Sequence, residues 1–143
     1  MSDELPEELR ARAYGGLALL LDLSFIANEL VKADYESTII FVCAAEATMR
    51  PLVQVGEPIP NTAYPPEHLR GSISRLLIAD RTGLPRETVR RKTNALVKRG
   101  LLYEDSEGRV RSVPNLSDPK IQTAIEESHS AVCRYQASVR ASK

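Results

Sequence analysis

The stretch ISRLLIADRTGLPRETVRRKTNALVKRGLLYEDSEGRV, Ile73 to Val110, decides how this chain folds. Ser74 is a helix-capping residue type, and it precedes a short run, Arg75 to Thr82, of helical character. Gly83 stands at the end of that run, where a left-handed residue is needed. Pro85 then suits the first turn of a second helix, which runs through about Arg99 and stops at Gly100. Two helices joined by a short turn containing glycine form a helix-turn-helix. The second helix has two faces. Val89, Thr93, Leu96 and Gly100 share a narrow arc, with Val97 beside it. Glu87, Arg91, Asn94 and Lys98 lie opposite, and Arg86 and Arg90 flank the N-terminal half. An apolar back with a front of hydrogen-bonding side chains is what a helix entering a DNA major groove needs. A solvated basic helix is the blander reading of the same front.

The residues after Gly100 weigh against the blander reading. Leu101, Leu102 and Tyr103 read as a short strand, Asp105 to Gly108 as a turn, and Arg109 to Val113 as the returning strand. A helix-turn-helix followed by a small hairpin is a winged helix. Arg109 and Arg111 fall on or near that wing, within reach of an adjacent minor groove or of phosphates.

Working outward, charge changes sign along the chain. Residues 1–69 hold four bases against eleven acids, residues 70–111 eleven bases against five acids, and residues 112–143 four against three. The formal net charge is zero, yet the layout places one polyanion-facing region on an acidic body. The length, 143 residues, is that of one domain with a real core.

Pro6 to Ala33 reads as a long helix, with Glu7 and Glu8 at its positive end and a heptad-like seam of Gly16, Leu20, Leu23, Ala27 and Leu30. Leu17, Leu19, Leu21 and Ile26 add apolar surface, so this helix is expected to be covered on more than one side. Asp34 suits the cap of a second helix, about Tyr35 to Arg50, with Pro51 opposing continuation. The β-branched run at Thr38 to Val42 admits a strand, but helix fits the flanking residues better. Asp118 and Pro119 open a terminal helix whose stripe is Ile121, Ile125, Ser128, Val132, Tyr135 and Val139. That stripe either packs on its own domain or pairs with a second chain.

The fold expected is mainly α: a winged helix-turn-helix with a small β-hairpin wing, flanked by N- and C-terminal helices that form a dimerisation region. The divisions are 1–55 for the N-terminal helices, 56–69 for a proline-rich connector, 70–114 for the winged helix and 115–143 for the C-terminal helix.

Ile78-Ala79, Gly83-Leu84-Pro85, Thr88-Val89, Leu96 and Arg99-Gly100-Leu101 together resemble the winged helix-turn-helix of bacterial transcriptional regulators, the multiple-antibiotic-resistance (MarR-like) and related families. The wing here is shorter than is typical of that family. The resemblance implies a regulator that binds a pseudo-palindromic duplex site as a homodimer and responds to a small-molecule effector, which nothing in the sequence names. It implies base contacts from the first turns of the recognition helix, Arg86, Glu87 and Arg91. Thr88, Arg90, Asn94 and Lys98 suit backbone contacts, as do Ser74 and Arg75 at the start of the preceding helix. Glu87 could instead pair with Arg90 or Arg91 one turn on. The competing reading is a winged-helix protein–protein module or adaptor without specific DNA binding.

Other chemistry finds little support. Cys43, Cys133, His68 and His129 lack metal-ligand spacing, although His129 and Cys133 stand four apart on one helix. No phosphate loop or nucleophile motif is present, so no enzyme, metal or cofactor is expected. Two distant cysteines suit a reducing cytoplasm, and Asp22 interrupts the apolar run Leu17 to Leu23, so no membrane partner is expected.

Overall fold

The computed structural model describes residues 3–53, 65–113 and 115–140. Its elements are helix α1 (Glu7–Val31), helix α2 (Tyr35–Val53), a 3-10 turn (Glu67–Leu69), helix α3 (Arg75–Thr82), helix α4 (Arg86–Lys98), strands β1 (Leu102–Glu104) and β2 (Val110–Ser112), and helix α5 (Pro119–Arg140). The fold is mostly helical with one two-stranded antiparallel hairpin, a winged helix-turn-helix with a small wing. Two compact units arise: residues 31–118 form one, and residues 1–30 with 119–143 form the other.

In the first unit, local chemistry sets the helix ends. Ser74 accepts from the Leu77 N–H at 3.1 Å and starts α3, and Gly83, at φ 75°, ends it. Pro85 sits at the cap position of α4, one residue before the first turn in which the sequence reading places it. Asp34 caps α2 as expected, accepting from the Ser37 N–H at 2.7 Å. The Thr38–Val42 run is helical.

Pro51 does not stop α2, contrary to the sequence expectation; the helix continues to Val53 with Pro51 inside it. The reason lies in a distant residue. Pro51 has no N–H to offer the Ala47 carbonyl four residues back, and Gly71 packs there. A Cβ on Gly71 would stand 2.0 Å from that carbonyl oxygen and 3.1 Å from Pro51 Cδ. The Gly71 N–H donates to the Thr48 carbonyl at 3.0 Å, satisfying another group near the helix end.

These contacts make α2 part of the winged helix. Its Ile40, Cys43, Ala44 and Ala47 share one core with Ile78 and Ala79 of α3, Val89 and Leu96 of α4, and Leu102 and Val110 of the hairpin. Val31 and Ile73 complete it. Ile73 exchanges both backbone bonds with Val110, adding a one-residue bridge on the far edge of β2. The hairpin register pairs Leu102 with Ser112, Tyr103 with Arg111 and Glu104 with Val110. The returning strand is shorter than the expected Arg109–Val113. Most of the expected 56–69 connector lies outside the described residues.

In the second unit, α1 and α5 meet through small residues. Ala131 is buried, and a Cβ on Gly15 would stand 3.1 Å from Ser138 Oγ and from the Tyr135 ring. Asp22 pairs with Arg134 at 3.2 Å. The large apolar residues of α1 point elsewhere: Tyr14, Leu17, Leu21 and Phe25 are each about two-thirds exposed or more. By length and composition α1 could cross a membrane, Asp22 notwithstanding, and 11% of its most apolar window is buried.

Candidate nucleic-acid interface

The back of α4 is fixed as its periodicity requires, with Val89, Thr93 and Leu96 buried. Its front faces outward. Arg86, Glu87, Arg90, Arg91, Asn94 and Lys98 are exposed, and Thr88 is half-buried. The base-contact candidates Arg86, Glu87 and Arg91 therefore stand together on the first turns of an exposed helical face.

The eleven bases between Arg70 and Arg111 divide by use. Arg86, Arg91 and Lys98 make no hydrogen bond or ion pair among the described residues and are exposed to an external anion, Arg91 with its charge also felt by Glu87. Arg90 is paired with Glu87, donating from Nε at 2.9 Å; that bond holds the Glu87 carboxyl below its ordinary range. The remaining seven are engaged within the fold. Lys92 is bonded to Asp34 at 2.8 Å and lies 3.5 Å from Glu36; it and the Ser37 N–H hold the Asp34 carboxyl down to about 2. Arg99 donates to the Val31 carbonyl at 2.7 Å. Arg81 bonds Glu46 at 2.8 Å, and Glu46, gripped first by Arg50 and then by Arg81, is held down to about 2. Arg70 lies over the Tyr103 ring.

The wing arginines are fasteners. Arg109 donates from Nε to Ser72 Oγ at 2.8 Å and from Nη2 to the Ser72 carbonyl at 3.0 Å. Arg111 donates to the carbonyls of Glu67 and Arg70 at 2.8 and 2.9 Å, and pairs with Asp105 at 3.4 Å. Both lie on or beside the hairpin as the sequence reading placed them, half-buried against the segment before α3. Arg75 does the same work from the other side. Its guanidinium bonds Asn94 Oδ1 at 2.7 Å, both Glu104 oxygens at 3.2 and 3.3 Å, and the Gly108 carbonyl at 3.2 Å. Ser74, its neighbour, keeps its oxygen on the α3 cap.

Sequence reasoning missed this division, because each engaged base meets an acid, a carbonyl or, for Arg70, an aromatic ring far along the chain. One signal was available: Lys92 and Arg99 fall off the front arc defined by Glu87, Arg91, Asn94 and Lys98.

No group of three or more metal-ligating side chains exists among the described residues. Cys133 Sγ and His129 Nε2 approach to 3.6 Å on the exposed side of α5 without a third ligand. Burial raises the Cys43 thiol above its usual range, as befits an inert core residue.

Residues 70–106 match the family model of the IclR helix-turn-helix domain. The matched span runs from the approach to α3 through α4 into the wing turn, and it supports DNA-binding transcriptional regulation. No curated protein and no solved structure matches the chain.

Proposed function

We propose that the chain is a sequence-specific double-stranded DNA-binding transcriptional regulator that occupies a pseudo-palindromic site as a homodimer. The observation that carries this is the front of α4: three exposed cations that make no hydrogen bond or ion pair among the described residues, Arg86, Arg91 and Lys98, on a helix whose back is buried. The matched domain type supports the same reading, and a DNA-binding regulator of this kind would act in the cytoplasm. Arg86 and Arg91 suit guanine edges, and Glu87 a cytosine amino group once Arg90 swings to a phosphate. Ser74, Thr88, Arg90, Asn94 and Lys98 suit the backbone. Arg75, Arg109 and Arg111 contribute positive potential from fixed positions, with the wing kept close to the duplex.

A MarR-like arrangement, with terminal helices joining two copies, accounts for the second unit. A two-helix unit that meets through Gly15, Ala131 and Ser138 leaves Tyr14, Leu17, Leu21 and Phe25 in water. A second copy would cover them. Lipid is the poorer cover, because α5 runs beside α1 carrying Glu126, Glu127 and Arg134, whose charges would be dragged into hydrocarbon. An effector seated between copies is compatible with this plan, and its chemistry is unassigned.

Binding to random duplex DNA across a salt series tests the reading. Three free cations per copy, six per dimer, give a slope of log affinity against log salt of about −5. A protein-binding adaptor would give weak affinity with a flat salt response, and that result would overturn the DNA reading.

A further inference from the structure

The pairing of Arg75 with Asn94 decides what Asn94 can recognise. An asparagine amide has an acceptor end and a donor end, and adenine recognition in the major groove uses both at once. Arginine is a donor only. The Asn94 atom that meets Arg75 Nη2 at 2.7 Å is therefore its oxygen, and the chemistry fixes the amide orientation. The donor end is left on the exposed front of α4, one turn from Arg90, Arg91 and Lys98.

The same guanidinium holds Glu104 at the end of β1 and the carbonyl of Gly108 in the wing turn. One side chain, itself at the first residue of α3, thus ties that helix, the recognition helix and the wing together. It also sets its positive charge against Glu104, a carboxylate that would otherwise repel a phosphate backbone beside the wing.

The geometry points to Arg75 as a positioning residue that makes Asn94 a one-way donor, so that Asn94 contacts phosphate oxygens and does not read adenine. This rests on the DNA-binding reading. Arg75 acts through Asn94 and through the wing, and its own contact with DNA is secondary.

The test uses the full chain as wild type, Asn94→Ala, Arg75→Lys and the double variant. Lysine keeps the charge, but one ammonium does not span Asn94, Glu104 and Gly108 together. Asn94 is exposed, so its alanine variant retains the core. Hydrogen bonds to a charged acceptor set the expected loss for Asn94→Ala at about tenfold per copy, about a hundredfold for the dimer, equal on all duplexes. Arg75→Lys should show a similar loss with the salt slope kept, and the double variant should bind no worse than either single one. In the 15N-labelled wild type, the Asn94 side-chain amide signal, identified by its absence in Asn94→Ala, should shift when a duplex is added. Asn94→Ala binding within about twofold of wild type would overturn the proposal while leaving DNA binding itself intact. Selection from a random pool that loses an adenine preference in Asn94→Ala would overturn it as well. Failure of the wild type to bind any duplex would overturn this proposal together with the DNA reading.

Discussion

Thr48→Val removes one oxygen from the joint between α2 and the wing while keeping the side chain's shape. Thr48 is fully buried, and its hydroxyl donates to the Ala44 carbonyl at 2.8 Å. The same oxygen accepts from the Ser112 N–H at 3.0 Å. The direction of that N–H follows from the hairpin. Successive residues of a strand point their backbone groups to opposite edges, so every second residue points the same way. Val110 spends its groups on Ile73, so Ser112, two residues on, points away from β1 and toward α2. Valine offers this N–H nothing, and Ser112 is buried, so water does not replace the lost acceptor. An unsatisfied buried donor costs about 1–3 kcal/mol. The added methyl fills the space of the hydroxyl, so no cavity term is due. For a chain of this size each kcal/mol lowers Tm by about 4 °C. Thermal unfolding followed by circular dichroism should therefore show a fall of about 4–12 °C. Amide exchange should accelerate at Ser112 more than at Leu102. A Thr48→Val protein as stable as wild type, with Ser112 protection unchanged, would refute the claim that α2 clamps the wing.

Gly71→Ala places a methyl 2.0 Å from the Ala47 oxygen, which backbone movement alone can relieve. Overpacking against a fixed main chain should cost about 3 kcal/mol, read from chemical denaturation. Asp34 gives a pH signature. Its folded pKa, about 2, lies below the ordinary 3.8, so its contribution to stability is present above the latter and is lost as pH falls toward 2. The stability difference between wild type and Asp34→Asn should stay constant near neutrality and narrow between about pH 4 and 2. Phe25→Glu puts a charge in the exposed stripe of α1; sedimentation should show a dimer for wild type and a monomer for the variant. A dimeric variant would remove that face from the interface.

The winged helix was legible because its signals are local. Ser74, Gly83 and Gly100 sit where helix ends require them, and the apolar residues of α4 fall on one arc. These features need no knowledge of distant partners. Pro51 misleads for the opposite reason: the group that accommodates it, Gly71, is twenty residues away, and no local rule connects them. The basic segment shows the same divide. Its charge is plain, but whether an arginine faces solvent or a wing carbonyl depends on tertiary pairing, as with Arg75 and Glu104. In α1 the seam of Gly16, Leu20, Leu23, Ala27 and Leu30 marks apolar surface correctly as a pattern, yet Leu20 is largely exposed. The face that meets α5 is set by Gly15 and its neighbours, and small residues register weakly in a hydrophobic period.

If the front of α4 reads DNA, the preference for particular base pairs must live on its exposed side chains. Selection of bound duplexes from a random pool, run with wild type, Arg91→Ala and Lys98→Ala, measures this most directly. The expected result is a two-fold symmetric motif with half-sites a helical turn apart, relaxed at one position per half-site by Arg91→Ala. Lys98→Ala, which removes one cation from each copy, should keep the motif and lower every affinity, with a salt slope smaller by about 2 for the dimer. A pool that returns no motif, or a motif and affinities untouched by Arg91→Ala, would contradict the claim.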